Sequence, residues 1–382
     1  MPNSIQRILM ITHELSFRGS SILALRLAQG MEERGIETVV LCTKQKSLDA
    51  DLTRNVRIVT MPGYSMPIWG RIVGRTVLQN LVQQPPDVIH VQGPGMLQQA
   101  IILGKTMACP VVVSVTDQSE AARLLLTSDC DPVRAIACVS ESVKAALPSR
   151  LHQIEQRVIL PGVPLEPSSK AAPVLSEGRI PVVGMAGPLE VIKGGSFFLR
   201  ACHRVLESGV KIRIVVAGSG PEERNLRRLA TSLELNDHVT FVDDGIAMST
   251  YLSAIDIFCL PSLQQGFGII LLEAMALGRP VIASAVGGIL SILENDTTGR
   301  IVPPSDSRAL ANCLLEMLAE PERTRKMGVA GQNQVEDRFT VTRMVDDMLS
   351  LYGDVISAER RVVAPIPISS MSSISSVSAA KE

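Results

Sequence analysis

Short apolar runs alternate with segments whose apolar residues recur every three or four positions along most of the chain. In the first part, RILMITH, ETVVLCT, VRIVTMP, DVIHVQG, PVVVSVT and AIACVS read as buried strands, and residues 20–34 and 96–107 carry helical spacing between them. Strands apolar on both faces, separated by helices, predict a parallel sheet covered on both sides. The alternation breaks at residues 162–181, GVPLEPSSKAAPVLSEGRIP, where Pro164, Pro167, Pro173 and Pro181 punctuate a polar run. It restarts with PVVGMAG, KIRIVVAGSG, VTFVD, IDIFCLPS and PVIASAV. The expected fold class is α/β, with two doubly wound parallel-sheet (Rossmann-like) domains facing across a cleft at the carboxyl ends of their strands. The expected boundaries are an N-terminal domain over 1–163, a linker over 164–180 and a C-terminal domain over 181–338. An amphipathic helix is expected over 339–358. The Ser-rich segment 364–382 reads as a disordered tail.

Composition narrows the function classes. A length of 382 residues exceeds one ordinary core, and 46% hydrophobic with 20% charged residues supplies ample apolar material for two. Aromatics at 3% argue against a sugar-stacking lectin surface or a single-strand nucleic-acid platform. A net charge of −1 gives no general basic field for nucleic acid or anionic membrane, so any phosphate recognition is local. Seven cysteines without a CxxC pair read as buried thiols in a reducing compartment, and no cysteine–histidine grouping points to a metal. The opening MPNSIQRILMITHEL reads as a first strand and no run is long enough to span a bilayer. The expected location is cytoplasmic, with the inner face of the membrane open. MPGYSMPIWGRIVGRTVLQNLV joins Trp69 and Ile72 to Arg71 and Arg75; it reads as a core-facing helix with a wet side, or as a peripheral membrane contact.

The chemistry concentrates in SLQQGFGIILLEAMALGRPVIASAVGG, residues 262–288. Gly266 and Gly268 bracket Phe267 before an apolar helix, so backbone can approach a ligand there and free N–H groups face an anion. Glu273 lies about a turn inside, where a carboxylate can take two ribose hydroxyls. The alternative is an ordinary glycine-capped turn with a surface glutamate. Other strand-end loops repeat the theme: Lys193 in GPLEVIKGG offers a point charge to a phosphate, Gly218 and Gly220 form a Gly-x-Gly turn, and Arg18 and Gly19 stand at the first strand-to-helix turn. Together they point to a nucleotide in the cleft. His13 and Asp117 are further polar candidates at strand ends, His13 as a base or as a strand-end structural histidine. His90 and Gln92 lie inside a buried strand.

GSGPEERNLRRLA, DIFCLPSLQQGFGIILLEAMALGRPVIASAVGG and TTGRIVPPSD, in this order and spacing, resemble the donor domain of the family 4 (group 1) glycosyltransferases, retaining enzymes of the GT-B fold. The resemblance is strong over residues 180–338 and faint before. It implies a nucleotide-diphosphate sugar on the C-terminal domain and an acceptor on the N-terminal one, whether carbohydrate, lipid-linked or small molecule, with no metal or other cofactor. It also implies that the final helix, entered through RFTVTRM, crosses back to the N-terminal domain. In roles the resemblance assigns, Glu273 holds the ribose, Lys193 the diphosphate and position 265 the sugar. Gln265 stands where the family has a glutamate, Pro188 where it has an arginine, Thr116 where it has a histidine, and Gly19–Ser20 where it has a glycine pair. Two readings follow: a retaining glycosyltransferase, or a catalytically impaired relative that binds nucleotide sugar or serves as a scaffold. A sugar phosphorylase or epimerase of the same architecture has less to recommend it, since no lysine context suits pyridoxal phosphate.

Overall fold

A computed structural model describes residues 5–16, 19–46, 50–66, 74, 77, 81, 83–124, 131–165, 173–243 and 247–363. Arg18, most of the 61–82 stretch around Trp69, linker residues 166–172 and the Ser-rich 364–382 segment fall outside these residues. The first lobe holds strands β1 (Arg7–Leu15), β2 (Glu37–Gln45), β3 (Arg57–Thr60), β4 (Val88–Gln92), β5 (Val111–Val115), β6 (Val133–Cys138) and β7 (Glu155–Val158). They pair in the order β3-β2-β1-β4-β5-β6-β7, and every pairing is parallel. The second lobe holds β8 (Val182–Ala186), β9 (Arg213–Ala217), β10 (Val239–Val242), β11 (Ile257–Leu260), β12 (Val281–Ser284) and β13 (Arg300–Val302). Their order is β10-β9-β8-β11-β12-β13, again all parallel. Strand order reverses between β1 and β4, and again between β8 and β11. Crevices open at such switch points beyond the carboxyl ends of the strands.

β7 and β13 are the two strands the apolar pattern does not announce. Both are short edge strands, and EQRV and RIV hold too few apolar residues to stand out. The central strands do announce themselves: β5 is buried at all five positions and β11 at all four.

Six of the helices serve as landmarks: α1 (Gly19–Glu32), α2 (Leu97–Met107), α3 (Gln118–Arg123), α4 (Gly195–Glu207), α5 (Ile269–Ala276) and α6 (Val341–Val363). α3 starts where Asp117 accepts the Glu120 N–H at 2.8 Å, a side-chain cap of an otherwise unsatisfied donor. α6 packs on the first lobe. It buries Met344, Val345, Met348, Leu351, Tyr352 and Val355. Gly30 of α1 lets it dock, because a Cβ there would stand 2.6 Å from Val345. Arg34 donates to Asp346 at 2.7 Å and Arg157 to Asp354 at 2.8 Å along its edges. In the middle of the first sheet, the His90 ring nitrogens meet the Tyr352 hydroxyl and, at 2.7 Å, the Ser114 hydroxyl. His90 is a fully buried sheet residue, and that burial pushes its imidazole down to about 4. Where the chain passes between lobes, Val163 and Thr340 form a parallel bridge, and the Val163 N–H donates to the Phe339 carbonyl at 2.8 Å.

Candidate functional site

A cavity of about 1620 Å³ lies between the lobes, reached by the carboxyl ends of both sheets. Lys193, Gln265 and Glu273 all line it.

From the second lobe, β8 ends at Ala186 and the chain turns through Gly187, Pro188 and Glu190 into a 3-10 turn that carries Lys193. Gly194 closes that turn with φ 72°, tight against the Pro261 carbonyl beyond β11, so no side chain fits there. This seats the ammonium beside the loop after β11: Lys193 Nζ donates to Gln265 Oε1 at 2.9 Å. The Ser262 hydroxyl donates to the same oxygen at 3.1 Å. An ammonium only donates, so these bonds fix which end of the Gln265 amide faces Lys193. Gly268, with φ 89°, caps the start of α5. Phe267 lines the cavity, but its ring is buried and packs 6.0 Å from that of Phe339. Gly218 and Gly220 are not on the cavity wall. Their backbones press against the carbonyls of Gly187 and Leu189, and so set the loop that is.

From the first lobe, α1 begins at Gly19, where a Cβ would stand 3.0 Å from the Ile269 side chain of α5. A Cβ on Gly266 would stand 2.7 Å from the Thr116 carbonyl. The lobes thus meet through a glycine from each side, and at Gly266 the approach to backbone leaves no room for a side chain. Arg18 itself falls outside the described residues.

Two residues join the site that the motifs do not flag. Glu120 lines the cavity, its Oε2 receiving the Thr116 N–H at 2.9 Å and the Thr116 hydroxyl at 2.8 Å. Burial pushes its carboxyl up despite those bonds. Arg26 of α1 crosses the cleft, and its Nη2 pairs with Glu273 Oε1. The one signal for Arg26 is a lone charge inside ILALRLA, an apolar stretch where a cation needs a partner. His13 points elsewhere: its side chain is exposed, its carbonyl accepts the Thr43 hydroxyl at 2.6 Å, and it does not line the cavity. Asp117 does line it while capping α3.

Two facing parallel-sheet lobes with a cavity at their switch points, crossed by a returning C-terminal helix, define a GT-B fold. The match to family models agrees: residues 170–334 fit "Glycosyl transferases group 1" and residues 17–167 fit "Glycosyltransferase Family 4". The chain belongs to the group 1, or family 4, glycosyltransferases.

Among similar sequences, D-inositol 3-phosphate glycosyltransferase of Saccharomonospora viridis is 28% identical over 65% of this chain and 59% of its own length. N-acetyl-alpha-D-glucosaminyl L-malate synthase of Bacillus anthracis is 29% identical over 40% of each chain. These alignments span well under two thirds of the relatives' own lengths. Among solved structures, Anabaena HepE in complex with UDP-glucose superposes with a TM-score of 0.75 at 18% identity, over 91% of this chain and 99% of its own. Sucrose-phosphate synthase from Thermosynechococcus elongatus does so with a TM-score of 0.75 at 20% identity, over 92% and 100%. At these identities the superpositions speak for the fold. No helix among the described residues is long and apolar enough to cross a membrane.

Proposed function

We propose that the protein transfers a hexose-type sugar from a nucleoside diphosphate sugar to a hydroxyl of a small or carbohydrate acceptor, with retention at the anomeric carbon. The observation that carries this reading is the convergence of Lys193, Gln265, the glycine-opened start of α5 and Glu273 on one interlobe cavity. The diphosphate would lie against the N-terminal amides of α5 with the Lys193 ammonium beside it, both favourable to an anion. Glu273 would accept from the ribose hydroxyls. The Gln265 amide nitrogen, its oxygen already taken by Lys193 and Ser262, would donate to the sugar. The acceptor would enter from the first lobe along Thr116, Asp117 and Glu120.

In the reaction, the bond from the anomeric carbon to the phosphate oxygen breaks. The acceptor oxygen bonds to that carbon from the same face, and its proton passes to the departing phosphate oxygen. The residues needed are those that hold this leaving group and stabilise its growing charge. Lys193 does that work here, with Pro188 in place of a second cation. The reading draws on no metal. Relatives whose names describe transfer to inositol phosphate and synthesis of a glucosaminyl malate, and a neighbour holding UDP-glucose, support a nucleotide-sugar donor. Family membership and the assembled Lys193, Gln265 and Glu273 place the enzyme reading ahead of the scaffold one.

Incubation with a panel of UDP- and GDP-sugars tests it. Release of nucleoside diphosphate, abolished by Glu273→Ala, supports transfer or its hydrolytic side reaction. Proton NMR of the product reports the anomeric configuration. A native protein that neither binds nor turns over any member of the panel ends the proposal.

A further inference from the structure

Arg26 and Glu273 come from different lobes, yet their side chains are only 9% and 14% exposed. Withdrawing two charges this far from water costs several kcal/mol per ion before their attraction repays it. The repayment is incomplete on the Arg26 side. Its Nη1 reaches the Gly162 carbonyl at a long 3.4 Å, and its buried Nε has no hydrogen-bond partner among the described residues. A pure strut would be cheaper as two apolar side chains of similar volume.

Three structures meet at Arg26. Its own helix, α1, docks α6 through Gly30. Gly162 belongs to the crossover, where a Cβ would stand 2.6 Å from the Thr340 carbonyl. Glu273 is the carboxylate placed at the ribose. Arg26 and Glu273 line the same cavity, so a ligand there sees the pair as one unit.

We infer that Arg26 is a positioning residue for nucleotide recognition. Its guanidinium holds Glu273 Oε1 in a nearly dry setting, which fixes the carboxylate and leaves Oε2 to the ribose hydroxyls. The first lobe thereby contributes to holding the nucleotide through a residue of the second. This deepens the proposed function and rests on its placement of Glu273 at the ribose. Without Arg26 the carboxylate would be buried and uncompensated, and its acceptance of hydroxyl protons would weaken.

The test compares UDP with 2′,3′-dideoxy-UDP, and GDP with 2′,3′-dideoxy-GDP, by titration calorimetry on the full chain. Two charge-assisted hydrogen bonds to hydroxyls give a ribose preference on the order of tenfold or more in the native protein. Glu273→Ala is expected to bring the ratio near one. Arg26→Ala is expected to do the same, leaving affinity for the dideoxy compound within about twofold. Arg26→Lys keeps the charge but loses the fork, and is expected to fall between. It also carries the test should the alanine variant fail to fold, an unchanged ratio in Arg26→Lys then overturning the inference. If Arg26→Ala weakens both nucleotides equally, Arg26 is a strut and the inference is wrong. If it tightens the ribonucleotide, Arg26 competes with ribose and the inference is equally wrong. Native protein that binds a nucleotide without preferring ribose overturns the inference and the placement of Glu273 at the ribose, and leaves sugar transfer standing. Native protein that binds neither pair overturns the proposed function with it.

Discussion

The two lobes share one architecture and build their halves of the cavity by different means. The second lobe presents side chains tied to each other across loops: Lys193 to Gln265, and Ser262 to Gln265. Apart from Arg26, which reaches across to Glu273, the first lobe ties its polar residues inward, Glu120 to Thr116 and Asp117 to its own helix start. A half built to grip a fixed chemical group, such as a diphosphate, needs a rigid, outward constellation. A half proposed to meet a hydroxyl acceptor can hold its carboxylates in local hydrogen bonds, as Asp117 and Glu120 are held. The comparison teaches that shared folds divide labour by how loop ends are satisfied and not by topology.

The largest test of this division is Lys193→Ala. It is expected to slow release of nucleoside diphosphate by about a hundred- to a thousandfold, the cost of losing one donor to a developing anion. The melting temperature should hardly move, because the ammonium serves the cavity. A loss below tenfold would place the grip elsewhere in the second lobe.

Next is the pH dependence of the first lobe. His90 titrates near 4 when folded and near 6.5 when unfolded, so between these values the unfolded chain binds more protons and stability rises with pH. The contribution of His90 is full above about pH 6.5 and is lost as pH falls toward 4, about 3 kcal/mol over the window. Urea midpoints at pH 7 and pH 5 check it, and a His90→Gln chain with an unchanged pH slope would refute the assignment.

Smaller still is Gly266→Ala, whose Cβ would stand 2.7 Å from the Thr116 carbonyl. The lobes would be held apart, with turnover reduced about tenfold and first-lobe stability unaffected. Smallest is Tyr352→Phe. It removes the hydroxyl that meets His90 and is expected to cost about 1 kcal/mol in denaturant unfolding, with activity per folded molecule retained.

Legibility follows the same divide. Strands such as β5 and β11 were plain because burial on both faces leaves an unbroken apolar run, whereas β7 and β13 lie at sheet edges and carry mixed residues. Lys193 and Gln265 stand out in the sequence because each lies next to glycines in a loop at a strand end, and the structure puts both on the cavity wall. Arg26 could not. Its partner lies 247 residues away, and only the docking of the lobes brings the two together. Glu120 was hidden for a related reason: its meaning depends on Thr116 curling back over it, a local hydrogen-bond choice no apolar pattern encodes. Gly218 and Gly220 show the reverse case, a legible motif that acts from behind the cavity wall by seating the Gly187–Leu189 loop.

The returning helix α6 sets an order of events in biosynthesis. All seven strands of the first sheet leave the ribosome before its last packing surface does, so His90 and the groove around Gly30 wait on residues beyond position 340. A nascent chain stalled between the lobes would expose that groove to chaperones. A nonsense mutation ahead of Val341 would remove this packing helix while sparing Lys193, Gln265 and Glu273.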